Sequence, residues 1–141
     1  MEYNLIGPVT ASATFLGIWT GHVLVREIER RSASLLLPSA CFAFIGLSLA
    51  ISSFLFDSPL ISTTLGILGM TALWDSIEFL RQQKRVTRGW APANPSNPRH
   101  ARLLEKYPSA TTIDLLKRDP IGRAVNKEEA VKLVSTKGNS R

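Results

Sequence analysis

Residues 35–56 read LLLPSACFAFIGLSLAISSFLF, with no charged side chain along the whole run. Its polar atoms are small hydroxyls, which hydrogen-bond back onto helix carbonyls. A helix on the surface of a soluble protein shows a polar stripe every 3.6 residues; this run shows none. At ~1.5 Å rise per residue, about 20 residues cross a ~30 Å hydrocarbon core. A backbone in lipid must satisfy its own polar groups, so the run predicts a transmembrane helix. On either side lie two runs of similar length, Leu5–Val25 and Leu60–Leu80. The first has His22 as its one ionisable residue; the third is apolar from Leu60 to Trp74 and then meets Asp75 and Glu78.

Lysine and arginine placement orients the three spans. The segment before the first run, MEYNLIG, has no basic residue, and neither has the connector FDSPL between the second and third. The connector REIERRS between the first and second carries Arg26, Arg30 and Arg31, and the segment after the third carries Arg81, Lys84, Arg85 and Arg88. The positive-inside rule then predicts the N-terminus outside and the C-terminus on the cytoplasmic side. A cleaved signal peptide is disfavoured, because the first run lacks a basic leader and no A-x-A-like site precedes the second. In FDSPL, Ser58 and Pro59 suit an N-cap and a first helical position, giving a tight hairpin between spans two and three.

The charge balance divides the chain in the same way. Of 141 residues, 17 are Lys or Arg and 11 Asp or Glu, for a net charge of +6. Residues 1–80 carry 3 basic and 6 acidic side chains, and residues 81–141 carry 14 and 5. The expected architecture is all-α: a three-span membrane domain over residues 1–80, a basic, proline-rich interfacial linker over 81–98, and a cytoplasmic tail with short helices over 99–141. One cysteine rules out a disulfide scaffold, and the length argues against a large enzyme with an interdomain cleft. The sequence contains no glycine-rich phosphate loop, nucleophile elbow or paired-cysteine motif, so no enzyme activity and no cofactor is expected.

In lipid, helices associate by close packing, and small residues four apart make the grooves that permit it. Ala13, Gly17 and Gly21 form such a line in span one, Gly46 and Ala50 in span two, and Ser62 and Gly66 in span three. Near the inner leaflet stand His22, four residues before Arg26, and Asp75, six before Arg81. At ~1.5 Å per residue these lie roughly 6 and 9 Å below the interface. Glu78 shares a helix face with Asp75. Ionisable groups at that depth pair or line a wet cavity. His22, Arg26, Asp75 and Glu78 therefore form a candidate intramembrane polar cluster, with Asp75 expected to meet His22 or Arg26 across the bundle. Such a cluster fixes helix register, or handles protons if the histidine titrates beside a carboxylate. The ligand set lacks a recognised metal spacing, so no metal is expected. Cys41 is expected to be a buried, inert thiol.

Arg81, Lys84, Arg85, Arg88 and Trp90 suit the headgroup layer, and basic residues there attract anionic lipids. Beyond them, Asn97-Pro98, Thr111-x-x-Asp114 and Asn126-x-x-Glu129 read as three helix starts. The apolar residues between them are few for an independent core, so the tail is expected to drape over a partner protein or the membrane. The charge of the tail also suits nucleic acid, but no stacking platform or recognised motif accompanies it.

His22-Val-Leu-Val-Arg-Glu27, the Leu65-Gly66 and Leu68-Gly69 repeats with Trp74, and the run Glu78-Phe-Leu-x-Gln-x-x-Arg85-Val86-x-x-Gly89-Trp90-x-Pro92-x-Asn94-Pro95 together resemble a family of small bacterial membrane proteins. It is catalogued as a domain of unknown function (forty-four ninety-one). The resemblance covers about residues 5–98 and implies a three-span membrane protein without supplying chemistry. The expected function is a non-catalytic accessory or structural subunit of a larger inner-membrane complex. Its partners would be other subunits of the complex or further copies of itself. The alternatives are a homo-oligomeric proton or ion pathway through the polar cluster and an adaptor that carries a basic tail to nucleic acid.

Overall fold

The computed structural model describes residues 4–119 and 121–138. Five α-helices follow one another: α1 (Ile6–Arg31), α2 (Leu36–Ser52), α3 (Pro59–Thr87), α4 (Pro98–Lys106) and α5 (Lys127–Gly138). A 3₁₀ turn at Ser53–Leu55 prolongs α2, and another lies at Leu115–Lys117. Among the described residues there is no strand. Three helices, Ile6–Arg31, Leu36–Leu55 and Pro59–Thr87, are long and apolar enough to cross a membrane.

The helices outrun the apolar runs at their C-terminal ends. Hydropathy falls at Val25 and Leu80, but Arg, Glu, Gln and Lys are good helix formers, and α1 and α3 continue to Arg31 and Thr87. At 29 residues, α3 is about 43 Å long at ~1.5 Å per residue, well beyond the ~30 Å hydrocarbon core. Gly89 stops it. Its φ of +73° gives the left-handed conformation. Trp90 N–H donates to the Arg85 carbonyl at 2.8 Å and Gly89 N–H to that of Val86 at 3.0 Å, the two bonds of a Schellman cap. Pro38 lies in the first turn of α2, where a missing N–H leaves no intrahelical bond unmade.

Chain contacts divide the protein into two compact units, one comprising residues up to Glu29 with Ser34–Arg81, the other Arg30–Ala33 with everything from Gln82. In the first, the register is set by glycines. A Cβ at Gly17 would lie 3.3 Å from Leu68 and from Thr71, and one at Gly21 would meet Asp75, so α1 and α3 run parallel. A Cβ at Gly46 would lie 2.7 Å from the Leu73 nitrogen and 2.8 Å from the Gly69 oxygen. The Ser62 hydroxyl donates to the Ser53 carbonyl at 2.7 Å. Ser53 in the chain after Gly46 thus meets Ser62, which precedes Gly69, so α2 runs antiparallel to α3. At the end of this unit where α1 and α3 carry their basic residues, Phe79 is fully buried among Val25, Leu35, Ile28 and Phe42. The Phe42 and Phe79 rings meet edge to face with centroids 5.3 Å apart.

The second unit has a small core of its own, Val86, Ala91, Ala93 and Leu103 with Leu104 against it. The expected boundary at residue 98 falls inside this unit, and residues 82–98 of the expected linker belong to it. The reason is hydrogen bonding. Ala93 N–H donates to the Thr111 carbonyl at 2.8 Å, and Asn94 N–H donates to Nδ1 of His100 at 2.9 Å. The Asn97 side chain caps α4 by accepting from Arg99 N–H at 2.9 Å, with Pro98 at the first helical position. Thr111-x-x-Asp114 opens a 3₁₀ turn rather than a helix, with Asp114 accepting from Leu116 N–H at 3.1 Å. Asn126 caps α5 by accepting from Glu129 N–H at 2.8 Å.

Candidate functional site

Every fourth residue of α1 from Ala13 makes one line: Ala13, Gly17, Gly21, Val25, Glu29. Four of these, Ala13, Gly21, Val25 and Glu29, are buried. Small residues along it let α3 approach, and opposite Gly21 the approaching side chain is Asp75, 4% exposed. Among the described residues no group donates a hydrogen bond to the Asp75 carboxylate. Its electrostatic surroundings are His22 and Glu78, so the structure brings three of the four expected cluster members together. Arg26 is exposed and makes no such contribution to Asp75. It lies one residue beyond Val25, off the buried line, at a helix position that points elsewhere.

Asp75 lines two cavities. One, of about 330 Å³, lies between α1 and α3 and is walled by Ile18, His22, Met70, Thr71, Trp74 and Asp75. The other, of about 240 Å³, reaches α2 through Phe42 and is walled on α1 by Gly17 and Gly21. The carboxylate therefore separates two mainly apolar spaces, with exposed His22 at the edge of the first. Glu78, one turn on, is buried, and its Oε2 stands 4.0 Å from Nη1 of Arg81. The Arg81 guanidinium lies over the Trp74 ring at 4.6 Å, a cation–π contact at the expected headgroup level.

The other residues singled out from the sequence are placed as follows. Gly46 and Ala50 face Gly69 and Leu73 of α3 at backbone distance, whereas a Cβ at Gly66 would make only ordinary contact, 3.8 Å, with Ser53. Among the headgroup residues, Lys84 is exposed, Arg85 donates to Gln82 at 2.9 Å, and Arg88 lies over the Trp90 ring at 5.0 Å. Cys41 is exposed on α2 and not buried as expected, because α2 turns its Gly46 side, not that of Cys41, toward α3. Among the described residues no group of three or more His, Cys, Asp or Glu is arranged to hold a metal ion.

Sequence reasoning missed the second polar centre. His100 is fully buried. Its Nδ1 accepts from Asn94 N–H, and its Nε2 stands 3.0 Å from Nη2 of Arg99. Asn94 Nδ2 donates to the Arg30 carbonyl at 3.2 Å. Asn97 Nδ2 donates to the carbonyls of Arg30 and Ser32, both at 3.0 Å. Arg30 is in the last turn of α1, where carbonyls have no intrahelical partner, and the Ser32 carbonyl also accepts from Nε of Arg99 at 3.2 Å. The available signal was the pair of Asn-Pro steps at 94–95 and 97–98, where an amide side chain precedes a residue that cannot donate.

No curated protein and no solved structure matches the chain. The three membrane-length helices, the Gly89 stop and the asparagine-bonded run after it fall within one stretch of sequence, and a family model matches that stretch, residues 4–97: the chain belongs to the family described as Domain of unknown function (DUF4491).

Proposed function

We propose that the protein is a non-catalytic accessory or structural subunit of a larger complex in the bacterial inner membrane, with its N-terminus outside and its C-terminus in the cytoplasm. One observation carries this reading. Of the buried polar side chains of the second unit, Asn97, His100 and Thr111 bond, together with Asn94, to that unit's own backbone, and Gln82 accepts from its Arg85. Its exposed charged side chains are mostly basic, with Glu105, Asp119 and Glu128 among them, and Trp90, Tyr107, Leu116 and Ile121 are exposed beside them, a surface suited to binding a partner. Parallel α1 and α3 with antiparallel α2 support an odd number of crossings, and the basic ends of α1 and α3 support the orientation. Purification of the tagged chain in a mild detergent is expected to recover other subunits in fixed stoichiometry. A monodisperse protein alone or as a homo-oligomer would defeat the hetero-complex reading. A C-terminal reporter active only in the cytoplasm tests the orientation.

A second reading rests on the cavities that meet at Asp75. A carboxylate beside a histidine in an otherwise apolar bundle suits a proton or ion path. Wild-type protein in liposomes would then carry a proton flux that Asp75→Asn alters, and absence of flux from the wild type ends this reading.

A further inference from the structure

The second unit contains a cavity of about 370 Å³ whose lining combines three cations, Arg88, Arg118 and Lys127, with Trp90, Leu116 and Ala130. None of its lining residues is acidic. The cations are held in place by neighbouring groups. Lys127 Nζ donates to the carbonyls of Pro108 and Ala110, Arg118 Nη1 donates to the Leu115 carbonyl at 2.6 Å, and Arg88 stacks over Trp90. A lysine has three donors and an arginine five, so each retains donors for a ligand. At the mouth, two large apolar side chains stand open, Trp90 at 62% and Leu116 at 71% exposure.

We propose that this cavity binds the headgroup of an anionic phospholipid, with Arg88, Arg118 and Lys127 on the phosphate and Trp90 and Leu116 against the glycerol and upper acyl carbons. Two arguments select the ligand. Arginine and lysine around one space recognise a phosphodiester, and the exposed tryptophan beside them has the amphipathic character of a headgroup-level anchor. A free phosphate would leave the apolar side chains of Trp90 and Leu116 unused. The inference rests on the membrane reading for the source of the lipid, but soluble short-chain lipids test the site whatever the topology or the partner complex.

The test uses the full chain in neutral detergent with Trp19→Phe and Trp74→Phe, so that Trp90 is the sole tryptophan and is excited selectively over the two tyrosines. Dihexanoyl-phosphatidylglycerol is expected to shift Trp90 emission to the blue with a saturable isotherm, and dihexanoyl-phosphatidylcholine to do so at least tenfold more weakly. Arg118→Gln and Lys127→Gln should each weaken phosphatidylglycerol binding several-fold. Leu116→Glu, at an open position, should abolish the shift with the helical circular dichroism unchanged, which separates site loss from misfolding. Equal response to both lipids, saturation by inorganic phosphate at the same concentration, or tighter binding of a poly-glutamate peptide would each overturn the proposal. So would a Trp90 signal that no lipid moves.

Discussion

The Asp75 carboxylate of α3 fills the space that a side chain on Gly21 of α1 would need: a Cβ there would lie 2.7 Å from its Cγ. A short aspartate has little freedom to withdraw, so Gly21→Ala must push the helices apart or turn the carboxylate into a neighbouring cavity. Overpacking of this kind costs about 1–3 kcal/mol. The loss should be measurable as a lower midpoint of unfolding in a denaturing-detergent titration. Asp75→Ala should relieve it, so the double variant should be more stable than the sum of the single changes predicts, by on the order of 0.5–3 kcal/mol.

Two glycines three residues apart on α3 should respond in opposite ways. A Cβ at Gly69 would lie 2.7 Å from the backbone nitrogen of Ala50 and 2.9 Å from the Gly46 oxygen, and backbone cannot yield as a side-chain tip can. At Gly66 the nearest atom is 3.8 Å away. Gly69→Ala should therefore destabilise by about 1–3 kcal/mol. Gly66→Ala should be neutral or stabilising by up to ~1 kcal/mol, since alanine is the better helix former. The same detergent titration distinguishes them; equal effects would mean that α2 and α3 do not meet at Gly69.

Asn97 has two separable roles. Its Oδ1 caps α4, and its Nδ2 serves the Arg30 and Ser32 carbonyls. Asn97→Asp keeps an acceptor that caps as well as asparagine but removes the donor, and Asn97→Ala removes both. The alanine variant should lose the cap, ordinarily worth about 1 kcal/mol, together with the bonds from Nδ2. The aspartate variant should itself be less stable than the parent, because it sets a carboxylate against two carbonyl oxygens. Thermal unfolding of the three proteins in one detergent measures both differences.

Arg123 and Glu129 form a bidentate pair, with Arg123 Nη1 3.1 Å from Glu129 Oε2 and Nη2 bonded to Oε1. The hydrogen bond from Arg123 holds the Glu129 carboxyl below its ordinary value of 4.5. Because the folded-state value is lowered, the support the pair gives to the first turn of α5 is complete above the ordinary carboxylate range. It is lost as pH falls through the lowered value. NMR titration of the Glu129 carboxyl should show its midpoint below 4.5 in the parent and moved upward in Arg123→Gln.

The spans were legible because their signal is local: uninterrupted apolar length needs no partner to be recognised. Their C-terminal limits were not, because Arg26–Arg31 and Arg81–Thr87 change the hydropathy without changing the helix propensity. Spacing identified Ala13, Gly17 and Gly21 as a packing face but left its partner open, since small-residue spacing marks a surface and not what covers it. The line also continued past the small residues to Val25 and Glu29, which a search for glycine and alanine alone overlooks. On α3 the close approach fell at Gly69 and not at Gly66, because the side facing α2 is set by register along the hairpin. The stretch from Pro92 to Pro98 read as extended because prolines break helices. Its folded state depends on Asn94 and Asn97 reaching carbonyls more than sixty positions earlier, information that no local window contains.

That reach fixes an order of events on the ribosome. Asn97 bonds a carbonyl made 67 residues before it. At elongation rates of about 5–20 residues per second, Arg30 leaves the peptidyl-transferase centre several seconds before Asn97 does. Through that interval the turn after the first helix has no asparagine amides to close it, and water or the insertion machinery must occupy its carbonyls. A nascent chain stalled short of position 94 is thus a species whose first turn remains open, whatever has already entered the bilayer.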